Sequence, residues 1–260
     1  MQLVVADIGN SSVKYMPATW DKDRHGESAC EADRQNCVVV DPQISGLQAP
    51  IRGSAHWFVS SVNQQIEQRF QQHCQKFDAV ESWHSINYRE VPIQVDLEEP
   101  EKAGIDRILA AYAAHKIYGQ GNDVVVVDCG TAMTIDLISG EGVFCGGVII
   151  AGPATNLRAL NSMTSALPDL SKEQLRRPSN VLGRNTHQAI MNGAYFNGLG
   201  AVKEVVAEIS THLNTPPTVI GTGGGLGPWK EVLPADWVLV DDLVLDGILM
   251  IAARQLQSRP

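Results

Sequence analysis

A mixed α/β fold built twice in one chain is predicted by three observations. Near the start an apolar run, Leu3-Val4-Val5-Ala6, leads into Asp7-Ile8-Gly9-Asn10-Ser11-Ser12-Val13-Lys14. Midway, a second apolar run, Val124 to Val127, leads into Asp128-Cys129-Gly130-Thr131-Ala132-Met133-Thr134-Ile135-Asp136. Each half mixes a strand-rich opening with later helical periodicity, as expected for sheets covered by helices. A buried strand that ends on a carboxylate, then turns on glycine among hydroxyl and amide side chains, suits a nucleotide's phosphates. Glycine lets backbone N–H groups come close, and Ser, Thr and Asn donate hydrogen bonds. The carboxylate can hold a hydrated Mg²⁺ between itself and the phosphate oxygens. Two such turns in matching positions predict a duplicated fold that closes on ATP from both sides.

The elements follow in order. Residues 2–7 read as a strand, and the polar stretch 19–37 as an exposed hairpin tip or insertion. Val38 to Val40 and Trp57 to Val59 are short strands. Asn63 to Phe77 carries Ile66, Phe70 and Cys74 at helical spacing and predicts a surface helix. Ser82 to Val95 is irregular or strand. Residues 101–117 predict a helix with Ile105, Ile108, Leu109 and Tyr112 on one face, rich in alanine. Gly119 to Asn122 closes the first half, so the domains are expected at 1–118 and 119–260. Three strands follow at 124–128, 132–138 and 143–150, then helices at 153–162, 186–211 and 244–257. A strand at 218–220, the turn Thr222-Gly223-Gly224-Gly225 and a strand at 237–240 lie between the last two helices.

Bulk properties narrow the function classes. The chain has 260 residues, enough for one large domain or two ordinary ones. A formal charge of −9 and the lack of a dense Lys/Arg stripe argue against nucleic-acid binding. The five cysteines are odd in number and show no C-x-x-C spacing, which predicts reduced thiols in a cytoplasmic protein. A strand beginning almost at once leads to the expectation of no signal peptide, and no apolar stretch approaches the ~20 residues that span a bilayer. The seven histidines (His25, His56, His73, His84, His115, His187, His212) form no H-x-x-x-H or H-E-x-x-H pattern, so no histidine metal site is expected. The Walker motif G-x-x-x-x-G-K-[ST] and the dinucleotide spacing G-x-G-x-x-G are both missing.

Several constellations carry two readings. Asp7 to Lys14 reads as a phosphate loop, with Asp7 orienting metal-bound water and Lys14 gripping terminal phosphates, or as an ordinary Asx turn. The second copy favours the first reading. Gly104-Ile105-Asp106-Arg107 opens a helix. Asp106 can accept a hydroxyl proton while Arg107 pairs a substrate carboxylate or carbonyl, or the two can be a first-turn acid and a solvated base. Gly146-Gly147-Val148-Ile149-Ile150-Ala151-Gly152-Pro153 is a wall of a phosphate channel or a tightly packed strand–helix corner. Asn185 or Thr186 can cap the long helix, and Thr186 can present its hydroxyl to a substrate. The Thr222–Gly225 turn is a floor for adenine or a plain loop.

The series DIGNSSVK (7–14), GIDR (104–107), DCGTAMTID (128–136), GGVIIAG (146–152), GRNT (183–186) and TGGG (222–225) resembles type III pantothenate kinase along essentially the whole chain. Each phosphate turn is shared with acetate and sugar kinases, heat-shock chaperones and actin; G-x-D-R between the two turns is not. The resemblance implies two ribonuclease H-like domains with an ATP cleft between them, and a homodimer. It implies transfer of the ATP γ-phosphoryl to the primary hydroxyl of pantothenate, with Mg²⁺ and a monovalent cation such as K⁺ or NH₄⁺. By the family's pattern Asp106 is the catalytic base, and Gly104, Ile105, Asp106 and Arg107 hold pantothenate together with Thr186. Asp128 is the monovalent-cation aspartate, Thr131 an ATP contact, and Asp7 to Lys14 the first phosphate loop. Two positions depart: Leu97 stands where family members commonly carry tyrosine, and Ala151 where they carry proline. The expected function is pantothenate phosphorylation, the first step towards coenzyme A. The alternatives are a catalytically silent nucleotide-binding regulator, or a kinase of this fold acting on another small hydroxy or carboxylic acid.

Overall fold

The structure is a computed structural model that describes residues 1–24, 26–44 and 51–258, which leaves His25 outside the described residues. In chain order its strands and main helices are β1 (Gln2–Ile8), β2 (Val13–Trp20), β3 (Cys30–Ala32), β4 (Val38–Val40), β5 (Ala55–Ser61), α1 (Gln64–Lys76), β6 (Val80–Ser85), β7 (Gln94–Val95), α2 (Ile105–Ala114), β8 (Val124–Cys129), β9 (Ala132–Ile138), β10 (Val143–Ala151), α3 (Pro153–Ser162), α4 (Thr186–Thr211), β11 (Thr218–Thr222), β12 (Val238–Leu239) and α5 (Leu243–Gln257). They form two compact units. One comprises Met1–Gln94, Glu98–Ala113 and Asp242–Pro260, the other Val95–Leu97 and Ala114–Asp241.

The first unit's sheet has the order β3-β2-β1-β5-β6, with β4 also paired to β2. β1 runs antiparallel to β2 and parallel to β5, which is parallel to β6. The second sheet repeats the pattern. Read from β10 it runs β10-β9-β8-β11-β12, with β7 added beyond β10. There β8 is antiparallel to β9 and parallel to β11, and β11 is parallel to β12. The duplication expected from two matching turns is therefore a duplication of topology, and each unit is ribonuclease H-like. Central strands account for the uninterrupted apolar runs: Leu3 to Ala6 and Val124, Val125 and Val127 are wholly buried, because helices or loops cover both faces.

Two expectations change. Part of the stretch 19–37 belongs to the sheet: its first two residues end β2, and β3 pairs antiparallel with Ala18–Trp20 as an edge strand, so the two strands make the hairpin and are no detached insertion. A strand of three residues shows too little alternation to be read from sequence. A division at residue 118 does not follow the contacts, because α5 belongs with the first unit. Its apolar face (Leu245, Ile248, Ile251, Ala252) is buried, and it packs on β1 and β5. Gly247 brings α5 so close to α2 that any Cβ would collide with the Leu109 carbonyl.

In the first core Tyr15, Trp57 and Phe70 are buried, and Trp57 stacks on Trp83 with centroids 5.3 Å apart. The Trp57 indole N–H donates to the Ala79 carbonyl at 2.9 Å, so the buried ring leaves no polar debt. The second core joins Val125, Val127, Met133 and Ile135 to Tyr195 and Val202 of α4 and to Trp229. Among the described residues no helix is long and apolar enough to cross a membrane.

Candidate active site

The first turn is a four-residue link between β1 and β2, closed by the Gly9 N–H donating to the Ser12 carbonyl at 3.0 Å. Registry places Asp7 beside Lys14 on one side and Ser60 on the other. Ser60 is fully buried, and its hydroxyl donates to Asp7 Oδ1 at 3.1 Å, which fixes the carboxylate at the strand end. Asn10 is exposed, and its Oδ1 accepts a hydrogen bond from Asn63 Nδ2 at 2.9 Å. Lys14, expected at a terminal phosphate, is ion-paired to Asp242 at the head of α5. Arg34 approaches the same Asp242 at 3.5 Å and reaches Asp246 at 2.5 Å. Burial pushes the Asp246 carboxyl above its ordinary value while Arg34 opposes the shift. Thus α5 holds the base of the hairpin through charge as well as through apolar contact.

In the same unit Gly104 precedes α2, and its carbonyl accepts the Ile108 N–H at 3.3 Å. Ile105, Ile108, Leu109 and Tyr112 are buried, the face predicted from their spacing. The helix begins later than expected because Pro100–Lys102 form a separate 3₁₀ turn. Asp106 sits in the first turn of α2, and its Oδ1 accepts the Arg107 N–H at 2.9 Å. Removal from water raises its pKa above the ordinary carboxylate value, and the Arg107 N–H and charge reduce the shift without cancelling it. A methyl group at position 104 would collide with Asp106 Oδ1, so glycine there leaves the carboxylate its place.

In the second unit Asp128 is the penultimate residue of β8, in register with Thr134 of β9 and Thr222 of β11. Ser60 and Thr222 thus stand at equivalent register positions, each a buried hydroxyl residue beside a turn aspartate. Burial and the neighbouring Asp128 charge push the Cys129 thiol up to about 12, so the residue is core and not a nucleophile. The Gly130 N–H donates to the Ala132 carbonyl at 2.9 Å. The Thr131 carbonyl accepts the Gly152 N–H at 2.9 Å and the Thr155 hydroxyl at 2.7 Å. A Cβ at Gly152 would strike the carbonyls of Gly130 and Thr131, so this glycine seats the head of α3 directly on the turn. Gly147 has a different duty: its Cβ would strike the Ile135 carbonyl and Asp136 across the sheet, which is backbone packing.

The Thr222–Gly225 turn folds onto the same place. Gly223 has φ +88°, and a Cβ on it would meet Asp128 Oδ1 and the Cys129 carbonyl, whereas one on Gly224 would meet nothing within 4 Å. Gly130, Gly224 and Gly225 line one cavity of about 680 Å³, with Arg176, Arg177 and Lys230 among its other walls. That volume is in the usual range for a small-molecule site. Thr186 begins α4, capped by Asn185, whose Oδ1 accepts the Gln188 N–H at 2.8 Å. It lines a separate cavity of about 720 Å³ with Gly183, Arg184 and Asn156. Leu97 belongs to this unit as well, and its Cδ2 lies 3.0 Å from where a Cβ on Gly146 would stand.

Sequence reasoning missed Ser60, Asn63 and Thr222 as partners of the turns. The signal available was modest: an apolar strand, Trp57 to Val59, that ends in Ser60-Ser61-Val62-Asn63 just before a helix.

The family model described as type III pantothenate kinase matches residues 3–208. A protein of that name from Persephonella marina is 32% identical over 190 residues, covering 73% of this chain and 72% of that one. One from Verminephrobacter eiseniae is 28% identical over 264 residues, covering 99% and 100%. One from Gluconobacter oxydans is 36% identical over 162 residues; the match covers 62% of this chain and 58% of that protein, less than two thirds of its length. Among solved structures, the ethanolamine utilization protein EutJ from Carboxydothermus hydrogenoformans superposes with a TM-score of 0.52 at 15% identity, covering 97% of this chain and 89% of that one, a likeness of fold alone.

Proposed function

The chain belongs to the type III pantothenate kinase family, and from that premise we propose that it transfers the γ-phosphoryl of ATP to the primary hydroxyl of pantothenate. The observation that carries the reading is Asp106: a carboxylate of raised pKa, beside Arg107, inside the Gly-Ile-Asp-Arg segment of a family-matched chain. A base must stay ionised at working pH yet be basic enough to take an alcohol's proton as the bond to phosphorus forms, and desolvation moves Asp106 in that direction. Phosphoryl transfer asks little covalent chemistry of a protein, so most of the gain comes from alignment and charge neutralisation.

In this reading Asp106 orients and deprotonates the hydroxyl, Arg107 pairs the pantothenate carboxylate, and Gly104, Ile105 and Thr186 complete the substrate contacts. Ile8 to Val13 and Thr131 contact ATP phosphates, and Lys14, in its pair with Asp242, steadies the base of the loop. Among the described residues no group of three or more His, Cys, Asp or Glu could hold a metal. The donors available are single carboxylates, which fits Mg²⁺ shared with substrate phosphates and water rather than a protein cage. Asp7 would hold it through water, and it would supply neutralisation of the phosphate oxygens. Asp128, with its Oδ1 close to the Gly223 backbone, is assigned the monovalent cation, K⁺ or NH₄⁺.

The test is a mass-detected phosphorylation assay with pantothenate and a panel of sugars and small acids, with and without K⁺. Product from pantothenate, enhanced by K⁺, is expected. ADP release on another acceptor but not on pantothenate would overturn the substrate, and ATP binding without turnover would overturn the enzyme.

The same reading makes the protein a cytoplasmic homodimer. In the second unit Ile149 is 62%, Met163 85% and Leu182 83% exposed, and these are the apolar side chains that self-association would cover. Leu182→Asp with Met163→Asp is expected to convert dimer to monomer in sedimentation velocity. An unchanged dimer would move the interface elsewhere.

A further inference from the structure

Asn63 connects two structural tasks. It stands between β5 and α1 with an extended backbone (φ −144°, ψ 96°), and its Oδ1 accepts the Ile66 N–H at 3.2 Å as the cap of α1. That bond settles which end of its carboxamide is oxygen and leaves Nδ2 to point away from the helix. Nδ2 donates to Asn10 Oδ1 at 2.9 Å. The second carboxamide is thereby settled too, since an Asn10 whose oxygen is engaged turns its own NH₂ the other way. Asn10 is exposed at the tip of the Gly9–Ser12 link. The Val62 N–H donates to the Ile8 carbonyl at 3.1 Å, which ties the same segment to the strand end and holds the two asparagines in reach.

We propose that Asn63 is a positioning residue that locks the Asn10 side-chain amide with its donor outward, so that the first loop offers N–H and not a carbonyl oxygen to a phosphate. The amides form a relay: α1 N-terminal N–H to Asn63, Asn63 to Asn10, Asn10 to phosphate oxygen. Each link polarises the next, and the helix end supplies the positive side of the chain. An unlocked Asn10 could present its oxygen as readily as its nitrogen. Half of its orientations would then repel an anion, and binding would have to restore the order that the lock provides in advance.

The inference rests on the reading of residues 7–14 as a phosphate loop and is tested separately from the identity of the acceptor. Binding of Mg·ADP and of adenosine is measured calorimetrically on the full chain for wild type, Asn10→Ala, Asn63→Ser, Asn63→Asp and the double variant Asn10→Ala/Asn63→Ser. Serine and aspartate both preserve the helix cap, so melting temperatures are expected within about 3 °C of wild type. Asn63→Ser should weaken ADP by roughly 3–10-fold, the scale of one hydrogen bond to a charged group. Asn63→Asp, which offers Asn10 an acceptor and turns its oxygen outward, should weaken it by about tenfold or more. Adenosine, with no phosphate, should bind as before. In the Asn10→Ala background the serine change should add nothing. Wild-type ADP affinity in both Asn63 variants, or a full additional loss in the double variant, would overturn the relay. Wild-type affinity in Asn10→Ala would overturn the loop reading and the relay with it. The expected ADP pattern in a protein that leaves pantothenate unphosphorylated would support the relay and overturn only the acceptor.

Discussion

Asp106→Asn is expected to bind nucleotide almost as wild type and to lose turnover by ~10²–10⁴, the range for removing a general base. Asparagine has the same shape and keeps an oxygen for the Arg107 N–H, so the geometry at the head of α2 is preserved and only the proton acceptor is lost. The pH dependence provides a second check. Because burial raises the pKa of Asp106, the acid limb of kcat/KM should lie above the ordinary carboxylate value, and it should vanish in the variant. Stability should move the other way. A carboxyl whose pKa is raised in the folded state favours folding most when protonated, and that advantage is lost as pH climbs from the unfolded value through the folded one. At pH 7 the ionised side chain is therefore a cost, and the neutral amide removes it. Asp106→Asn should melt at or above the wild-type temperature at pH 7, with the difference shrinking on acidification. Wild-type turnover at saturating pantothenate would falsify the assignment, and a variant that lost activity together with stability would point to structure rather than chemistry.

Gly223→Ala should be the most damaging single-methyl change near the second turn. The backbone at φ +88° and ψ 145° is close to a region that only glycine occupies readily, and the added carbon would collide with Asp128 Oδ1 and the Cys129 carbonyl. Backbone strain and overpacking together suggest about 3–5 kcal/mol. For a chain of this size that corresponds to roughly 6–15 °C in melting temperature. The change falls in the second of two compact units, so calorimetry should show it in that unit's transition if the two melt separately. Displacing Asp128 should also weaken the response to K⁺. Gly224→Ala is the control, because a Cβ there meets nothing within 4 Å, and it should melt close to wild type. Equal melting of the two variants would show that Gly223 is not under the constraint described.

Much of the fold was legible because its signals are local. The buried central strands announce themselves as unbroken apolar runs, and the start of α4 could be placed because Asn185 and Thr186 are both capping residue types; the structure makes Asn185 the cap. The Asp-then-glycine turns were legible for the same reason, since acid, glycine and hydroxyl lie within a few residues of one another. Gly147 shows where such reasoning stops: paired glycines in a strand announced a close approach, but only the sheet register named Asp136 and the Ile135 carbonyl as what is approached. Leu97 is similar. Its departure from the family pattern was visible, while its place over Gly146 was not.

The amino-acid order by itself determined the two strand–turn units and the helix faces, and it named the residues proposed for phosphate chemistry, because hydrophobic period, glycine freedom and capping act over a few neighbouring positions. Tertiary structure alone decided that α5 completes the first unit, that Lys14 pairs with Asp242, and that Ser60 and Asn63 support Asp7 and Asn10. Those contacts join residues about 50 to more than 200 positions apart. A hydrogen bond or ion pair closed over such a loop leaves no periodicity in either segment, since each partner taken alone is an ordinary polar residue at the end of a strand or helix.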